Sequence, residues 1–249
     1  MVNAEKYHFS DFTTENYRKL LRLAKSKYTF CTFTELNGKE KFITWRHDID
    51  FSMHRALKMA QIEAEEGIKA TYCILLHSEF YNLLEKEISD ILLQIIKLGH
   101  SIGLHFDSHY YDIKNETGLE EKLLFEKSII ENLFPIKVDC FCFHITNEFT
   151  IGCNKESYAG LINCYSDKFQ KEVGYCSDSN GYWRFKRLED VLTEATDKKL
   201  QVLTHPELWQ DGVMSPKQRV YRCADLRAEK TKKWYDDTLK NGNRDNIDW

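Results

Sequence analysis

The chain of 249 residues carries 35 Lys plus Arg against 39 Asp plus Glu, a net charge of -4, with 42% hydrophobic and 30% charged residues. That apolar content, with only 11 Gly and 3 Pro, excludes a disordered or collagen-like chain, and the balanced charge leaves no nucleic-acid footprint. The length suits one large α/β domain with ample capacity for a core.

Residues 11–27 have the spacing of an amphipathic helix, with Thr13 or Thr14 as its cap. A short buried strand over 42–45 stops at Arg46-His47-Asp48-Ile49-Asp50. A helix over 52–66 follows, ended by Gly67. Then come a strand at 69–76, a helix at 87–98, a strand at 101–105, a helix at 118–133 and a strand at 138–143. Residues 144–185 are irregular and rich in Gly, Asn, Ser and Tyr. A helix at 188–196 precedes a strand at 200–204, and the charged tail from about 216 is helical. Strands alternating with helices predict a parallel sheet of βαβ units.

The eight cysteines form no Cys-x-x-Cys pair, so neither a zinc ribbon nor a thioredoxin-like motif is supported. Several lie in apolar runs, as Cys73 does, and are expected to be small buried hydrophobes with free thiols. The N-terminal stretch has no apolar core of the kind a signal peptide needs, and no run is long enough to span a bilayer. The expected location is a reducing cytoplasm.

Each predicted strand ends in a polar cluster: His47-Asp48-Ile49-Asp50, His105-Phe106-Asp107-Ser108-His109, His144 and His205. In parallel α/β folds the strand C-termini build the site, so four strands deliver imidazoles and carboxylates to one edge. His105 and His109, spaced i, i+4, would face one ion from a helical turn. Asp48 or Asp50 would complete a His, His, Asp triad, leaving the other as a base. The competing reading makes both carboxylates caps of the helix from Ser52. His8 and His54 read as surface residues and His100 as a structural turn residue. His77, after a strand, is a candidate groove residue. Trp183 and Trp209 are candidates for core or for sugar-stacking platforms.

These residues resemble the polysaccharide deacetylase (NodB homology) family, carbohydrate esterase family 4, in its His-Asp-x-Asp branch. The resemblance runs from Arg46-His47-Asp48-Ile49-Asp50-Phe51 through Gly67-Ile68-Lys69-Ala70-Thr71-Tyr72 and Leu98-Gly99-His100-Ser101-Ile102-Gly103-Leu104-His105-Phe106-Asp107-Ser108-His109 to Leu203-Thr204-His205-Pro206. It covers residues 42–209, about two thirds of the chain. It implies a single domain folded as a distorted (β/α) barrel of about seven strands, with helical additions at both ends. It implies Asp48 as catalytic base, His205 as general acid, and Asp50, His105 and His109 as metal ligands. Asp178 and Trp183 fall where a Trp- and Asp-containing motif borders the family's groove; His47, His144 and Trp209 are further candidates for touching the substrate or for supporting the residues that do. Zn²⁺ is the expected ion, with Co²⁺, Ni²⁺ and Mn²⁺ as alternatives.

The chain departs from the family at Phe141-Cys142-Phe143-His144-Ile145-Thr146-Asn147. There the usual Arg-x-Pro-Tyr motif, whose Arg braces the catalytic Asp, is absent. His144 is the expected replacement. The implied activity is metal-dependent removal of an N-acetyl or N-formyl group from a sugar. The substrate would be a nucleotide- or lipid-linked intermediate of O-antigen or capsule synthesis. Two rival readings are a non-catalytic carbohydrate-binding protein on the same scaffold, and a metal phosphohydrolase built on His47-Asp48. The latter class is all-helical.

Overall fold

The computed structural model describes residues 2–248. Its centre is a sheet of nine strands among those residues. They are β1 (Thr29–Phe30), β2 (Phe42–Ile49), β3 (Thr71–Ile74), β4 (Ser101–Phe106), β5 (Val138–Phe143), β6 (Ser157–Tyr158), β7 (Leu161–Asn163), β8 (Gly174–Ser177) and β9 (Lys199–Thr204). Their order is β6-β7-β5-β4-β3-β2-β9-β8, with β1 beside the start of β2. Every pairing is parallel except β6 with β7.

The sheet curls. The Arg46 guanidinium on β2 stands 5.4 Å from the ring centre of Tyr165, just after β7. Those strands are four steps apart, and a flat sheet would separate them by roughly 19 Å. The edges β6 and β8 do not pair, so the result is an open, barrel-like α/β sheet with nine strands rather than about seven. Two cores follow. Inside the curl, Phe33, Phe42, Cys73, Cys140, Cys142 and Cys164 pack on one another. Outside, Ile43, Trp45 and Ile49 pack under the helices. All eight cysteines are buried and unpaired, as their apolar surroundings predicted.

The helices are α1 (Asn3–Lys6), α2 (Thr14–Lys27), α3 (Met53–Glu65), α4 (Lys86–Lys97), α5 (Glu116–Leu133), α6 (Glu148–Gly152), α7 (Asp167–Glu172), α8 (Leu188–Glu194) and α9 (Pro216–Asn241). Thr13 caps α2 by accepting from the Asn16 amide at 3.2 Å. Ser52 caps α3 in the same way, at 3.2 Å from the Arg55 amide. Asp48 and Asp50 are therefore free of the capping role. Gly67 and Gly99 turn the chain out of α3 and α4 at φ +67° and +91°, where a side chain would be strained. No described helix is long and apolar enough to cross a membrane.

The largest departure from the sequence expectation lies in β2. It runs on through Arg46, His47 and Asp48 to Ile49, buried at all eight positions. A parallel strand covered on both faces reads as a continuous buried run, and three polar residues interrupt that pattern without ending the strand. Alternation sends Arg46 and Asp48 inward and His47 outward.

The inner core is closed at Gly103, where an added Cβ would come within 2.7 Å of Cys73 Sγ and 2.8 Å of Cys140 Sγ. Gly103→Ala should therefore lower stability by about 1–3 kcal/mol through overpacking, read from the urea unfolding midpoint. An unchanged midpoint would show that the interior yields.

Candidate metal centre

Asp50 follows the end of β2 on the same side as Asp48. His105 is the fifth residue of β4. His144 lies one step past β5, tied to β4 by its amide, which donates to the Phe106 carbonyl at 2.9 Å. The three side chains converge. Asp50 Oδ1 is 3.1 Å from His105 Nε2 and 3.2 Å from His144 Nδ1, and the two imidazole nitrogens are 3.1 Å apart. Donors at 2.0–2.1 Å from a tetrahedral ion stand roughly 3.3 Å apart. The donor set, two imidazoles and one carboxylate on a single face, fits a divalent cation.

His109 is outside this triad. The loop after β4 bends around Asp107, whose Oδ1 accepts from the His109 and Tyr110 amides at 2.9 and 3.3 Å. That turn sends the His109 ring to the surface, 3.4 Å from Asn147 Nδ2 and about half exposed. The i, i+4 rule needs a helical turn, and this segment is not one. His144 therefore stands among the ligand candidates, not in the place of a missing Arg.

Arg46 occupies that bracing position. Its Nε lies 2.9 Å from Asp48 Oδ1, and its Nη2 donates to Asp48 Oδ2 at 3.1 Å. Both residues are nearly solvent-free. The signal was present in the sequence, because residues i and i+2 of a strand share a face. Burial pushes Asp48 up, but Arg46, then His105 and His205, hold it below the usual carboxylate range.

Cys142 links Asp48 to the triad. Burial keeps Cys142 a thiol. The thiol donates to Asp48 Oδ1 at 3.2 Å, while His105 Nδ1 lies 3.1 Å from the sulfur. Sulfur thus accepts from Nδ1–H, and Nε2 is the nitrogen presented to Asp50. Despite burial, Asp48 raises the His105 pKa well above its ordinary value. Asp50 falls far below its own: burial opposes this, and hydrogen bonds from His105 and His144 outweigh it.

His205, just past β9, faces the triad from the other side, its Nε2 3.9 Å from Asp50 Oδ2. Its Nδ1 is 2.7 Å from Asp178 Oδ1, and Asp178 also accepts from the His205 amide at 3.1 Å and from Trp209 Nε1 at 2.9 Å. Burial alone would lower the His205 pKa; the Asp178 hydrogen bond and charge push it up to about 10. Asp178 thus serves His205 and not His144. Glu207, which the sequence reading missed, is buried beside this group with neither carboxylate oxygen hydrogen-bonded. Burial, then the Asp50 charge, raises its pKa well above the usual range.

The geometry takes His47 out of the site and favours core over sugar platform for the two tryptophans. His47 points away from the site; its Nε2 is 2.6 Å from Glu63 Oε1 and its Nδ1 2.8 Å from Thr204 Oγ1. His47 and Asp48 therefore lie on opposite faces of a strand, which removes the basis for a His47-Asp48 phosphohydrolase. Trp209 is fully buried between Phe12 and Tyr17, so it backs Asp178 and offers no platform to a sugar. Trp183 stacks on Phe12 at 5.0 Å and donates to Asp11 at 2.8 Å. It pins the N-terminal segment instead. His77 sits against Glu126 and Tyr111, at 3.0 Å from each, with Tyr110 stacked on its ring. His100 holds the turn before β4 through the Ala60 carbonyl and the Ala70 amide, as its position suggested.

His144→Ala and His105→Ala should each weaken divalent-metal binding by more than the roughly 10–100-fold that outer-shell changes cost, while His109→Ala leaves it nearly intact. Metal content after dialysis reads this directly. Loss in His109→Ala with retention in His144→Ala would restore the spacing-based assignment.

No family model and no curated protein sequence matches the chain. Among solved structures it is similar to a family 4 carbohydrate esterase from Bacillus anthracis, at 19% identity over 86% of each chain with a TM-score of 0.45. It is similar to a family 4 acetyl xylan esterase from Clostridium thermocellum in complex with a cobalt ion, at 11% identity over 74% of this chain and 84% of that one, TM-score 0.45. A CE4 family pseudoenzyme from Bacillus anthracis is similar at 13% identity over 78% of this chain and 62% of the other, TM-score 0.41. At these levels the similarity is slight.

Proposed function

We propose that the protein is a metal-dependent hydrolase that removes an N-acetyl or N-formyl group from a sugar intermediate of bacterial surface polysaccharide synthesis, such as O-antigen or capsule. The observation that carries this is the convergence of Asp50, His105 and His144 with a carboxylate and an imidazole in reach of them. Those three residues would hold a divalent ion, Zn²⁺ best by donor set, which would supply positive charge to polarise an acyl oxygen and acidify water.

The remaining groups divide the proton work. Asp48, kept ionised by Arg46, is the residue to which we assign the proton of the attacking water. His205, kept protonated by Asp178, delivers its Nε2 proton to the departing amine, which is a poor leaving group until protonated. Buried surroundings strengthen each of these interactions. Eight buried, unpaired thiols suit a reducing cytoplasm, where activated sugar intermediates are assembled.

Metal-loaded protein should release acetate or formate from an N-acylated sugar donor. Asp48→Asn should cut kcat/KM by roughly 10²–10⁴, the usual worth of a general base. No release from any acylated sugar, or an Asp48→Asn variant equal to wild type, would overturn the reading and favour a carbohydrate-binding role. The pH profile gives a second check. An acid works only while protonated, and Asp178 extends that range upward to about 10. Asp178→Asn should move the alkaline limb down towards the ordinary imidazole value of roughly 6.5. An unmoved limb would remove His205 from the proton transfer.

A further inference from the structure

A cavity of about 280 Å³ lies between the first turn of α3, the loop after β3 and the face of α9. It begins one residue beyond Asp50, at Phe51, and includes Gln210, five residues beyond His205. Its lining contains Arg55, Arg222, Arg227 and Lys230 and no carboxylate, in a chain whose net charge is -4. Two of these cations are paired at the rim, Arg227 with Glu85 at 2.6 Å and Lys230 with Glu87 at 2.5 Å.

The inner two have weaker partners. Arg222 donates to the Gln210 side-chain oxygen at 2.5 Å. Arg55 donates to the Trp209 carbonyl and lies 3.6 Å from the exposed Asp211, while its buried Nε has no hydrogen bond. Burial lowers the Arg55 pKa, and repulsion from Arg222 adds to that against Asp211. Two neighbouring guanidiniums without a full counter-charge are the arrangement that an anion stabilises. The α3 N-terminus, the positive end of its dipole, opens at the same place. Phe51 and Phe80, packed edge to face at 4.4 Å, give the cavity an apolar wall.

We propose that this cavity binds a phosphate or diphosphate group of the substrate, joined to the sugar whose acyl group meets Asp48 and His205. The assignment rests on the deacylase reading only for which molecule carries the phosphate. The apolar wall would take what continues beyond it, a nucleoside or a lipid.

The test is calorimetric titration of inorganic pyrophosphate into the full-length protein. Saturable binding is expected, weakened at least tenfold in Arg222→Met, largely kept in Arg222→Lys, and falling with added salt. His105→Ala should bind as wild type does, which separates the cavity from the metal centre. Competition by a nucleoside diphosphate N-acyl sugar or by a polyprenyl phosphate N-acyl sugar then identifies the source of the phosphate. Absent binding, equal affinity in Arg222→Met, or loss in His105→Ala would overturn the proposal. Pyrophosphate binding without hydrolysis of any acylated sugar would instead remove the deacylase reading and leave the cavity standing.

Discussion

Arg46 and Asp48 are two full charges inside a curled sheet, surrounded by thiols and aromatic rings. Moving either ion alone out of water costs several kcal/mol, and leaving one unpaired costs about 3–5 kcal/mol. The pair is tolerable because its geometry is good: two contacts near 3 Å, with the guanidinium over Tyr165. Much else follows from it. Asp48 stays ionised and holds the Cys142 thiol, and through that thiol the His105 ring. The orientation of one candidate ligand is thus set by a charge on the neighbouring side of the sheet interior.

The outward face of the same strand carries a second polar group of a different kind. Glu63 of α3 accepts from Tyr17 at 2.5 Å and Tyr72 at 2.6 Å and contacts His47 at 2.6 Å. Burial raises the Glu63 pKa, but His47 outweighs it and holds the carboxylate below its ordinary range. This network ties α2 and α3 to the outside of β2 and β3 and is satisfied within itself. A single strand therefore separates two buried ionic groups by the parity of its residues. One serves the site, the other the attachment of the helices.

The segments flanking the sheet also reach the site. Phe12, Tyr17 and Trp183 surround Trp209, and Trp209 donates to the Asp178 that charges His205. The α9 helix packs Arg219 on Phe12 at 4.3 Å and binds the Gly181 carbonyl at 2.9 Å. The terminal additions thus hold the wall behind His205. Aromatic residues that suggested sugar platforms are used as this buttress.

Composition and local pattern determined a good deal. Period-two and helical spacings, with the Ser and Thr caps and Gly67 and Gly99, placed most strands and helices within a few residues, because these signals act over one or two turns. Polar residues at the ends of β2, β4, β5 and β9 marked the site edge, since parallel strands must end on one side. Spacing could not select His144 over His109, which depends on how the loop after β4 bends and where β5 ends beside β4. Nor could it show that β2 continues through three polar residues, because their burial is tolerable only once the folded chain pairs Arg46 with Asp48 inside the sheet and His47 with Glu63 of α3 outside it. Local sequence sets which way a side chain faces on its strand. The curl of the sheet decides which side chains, far apart in the chain, share one interior.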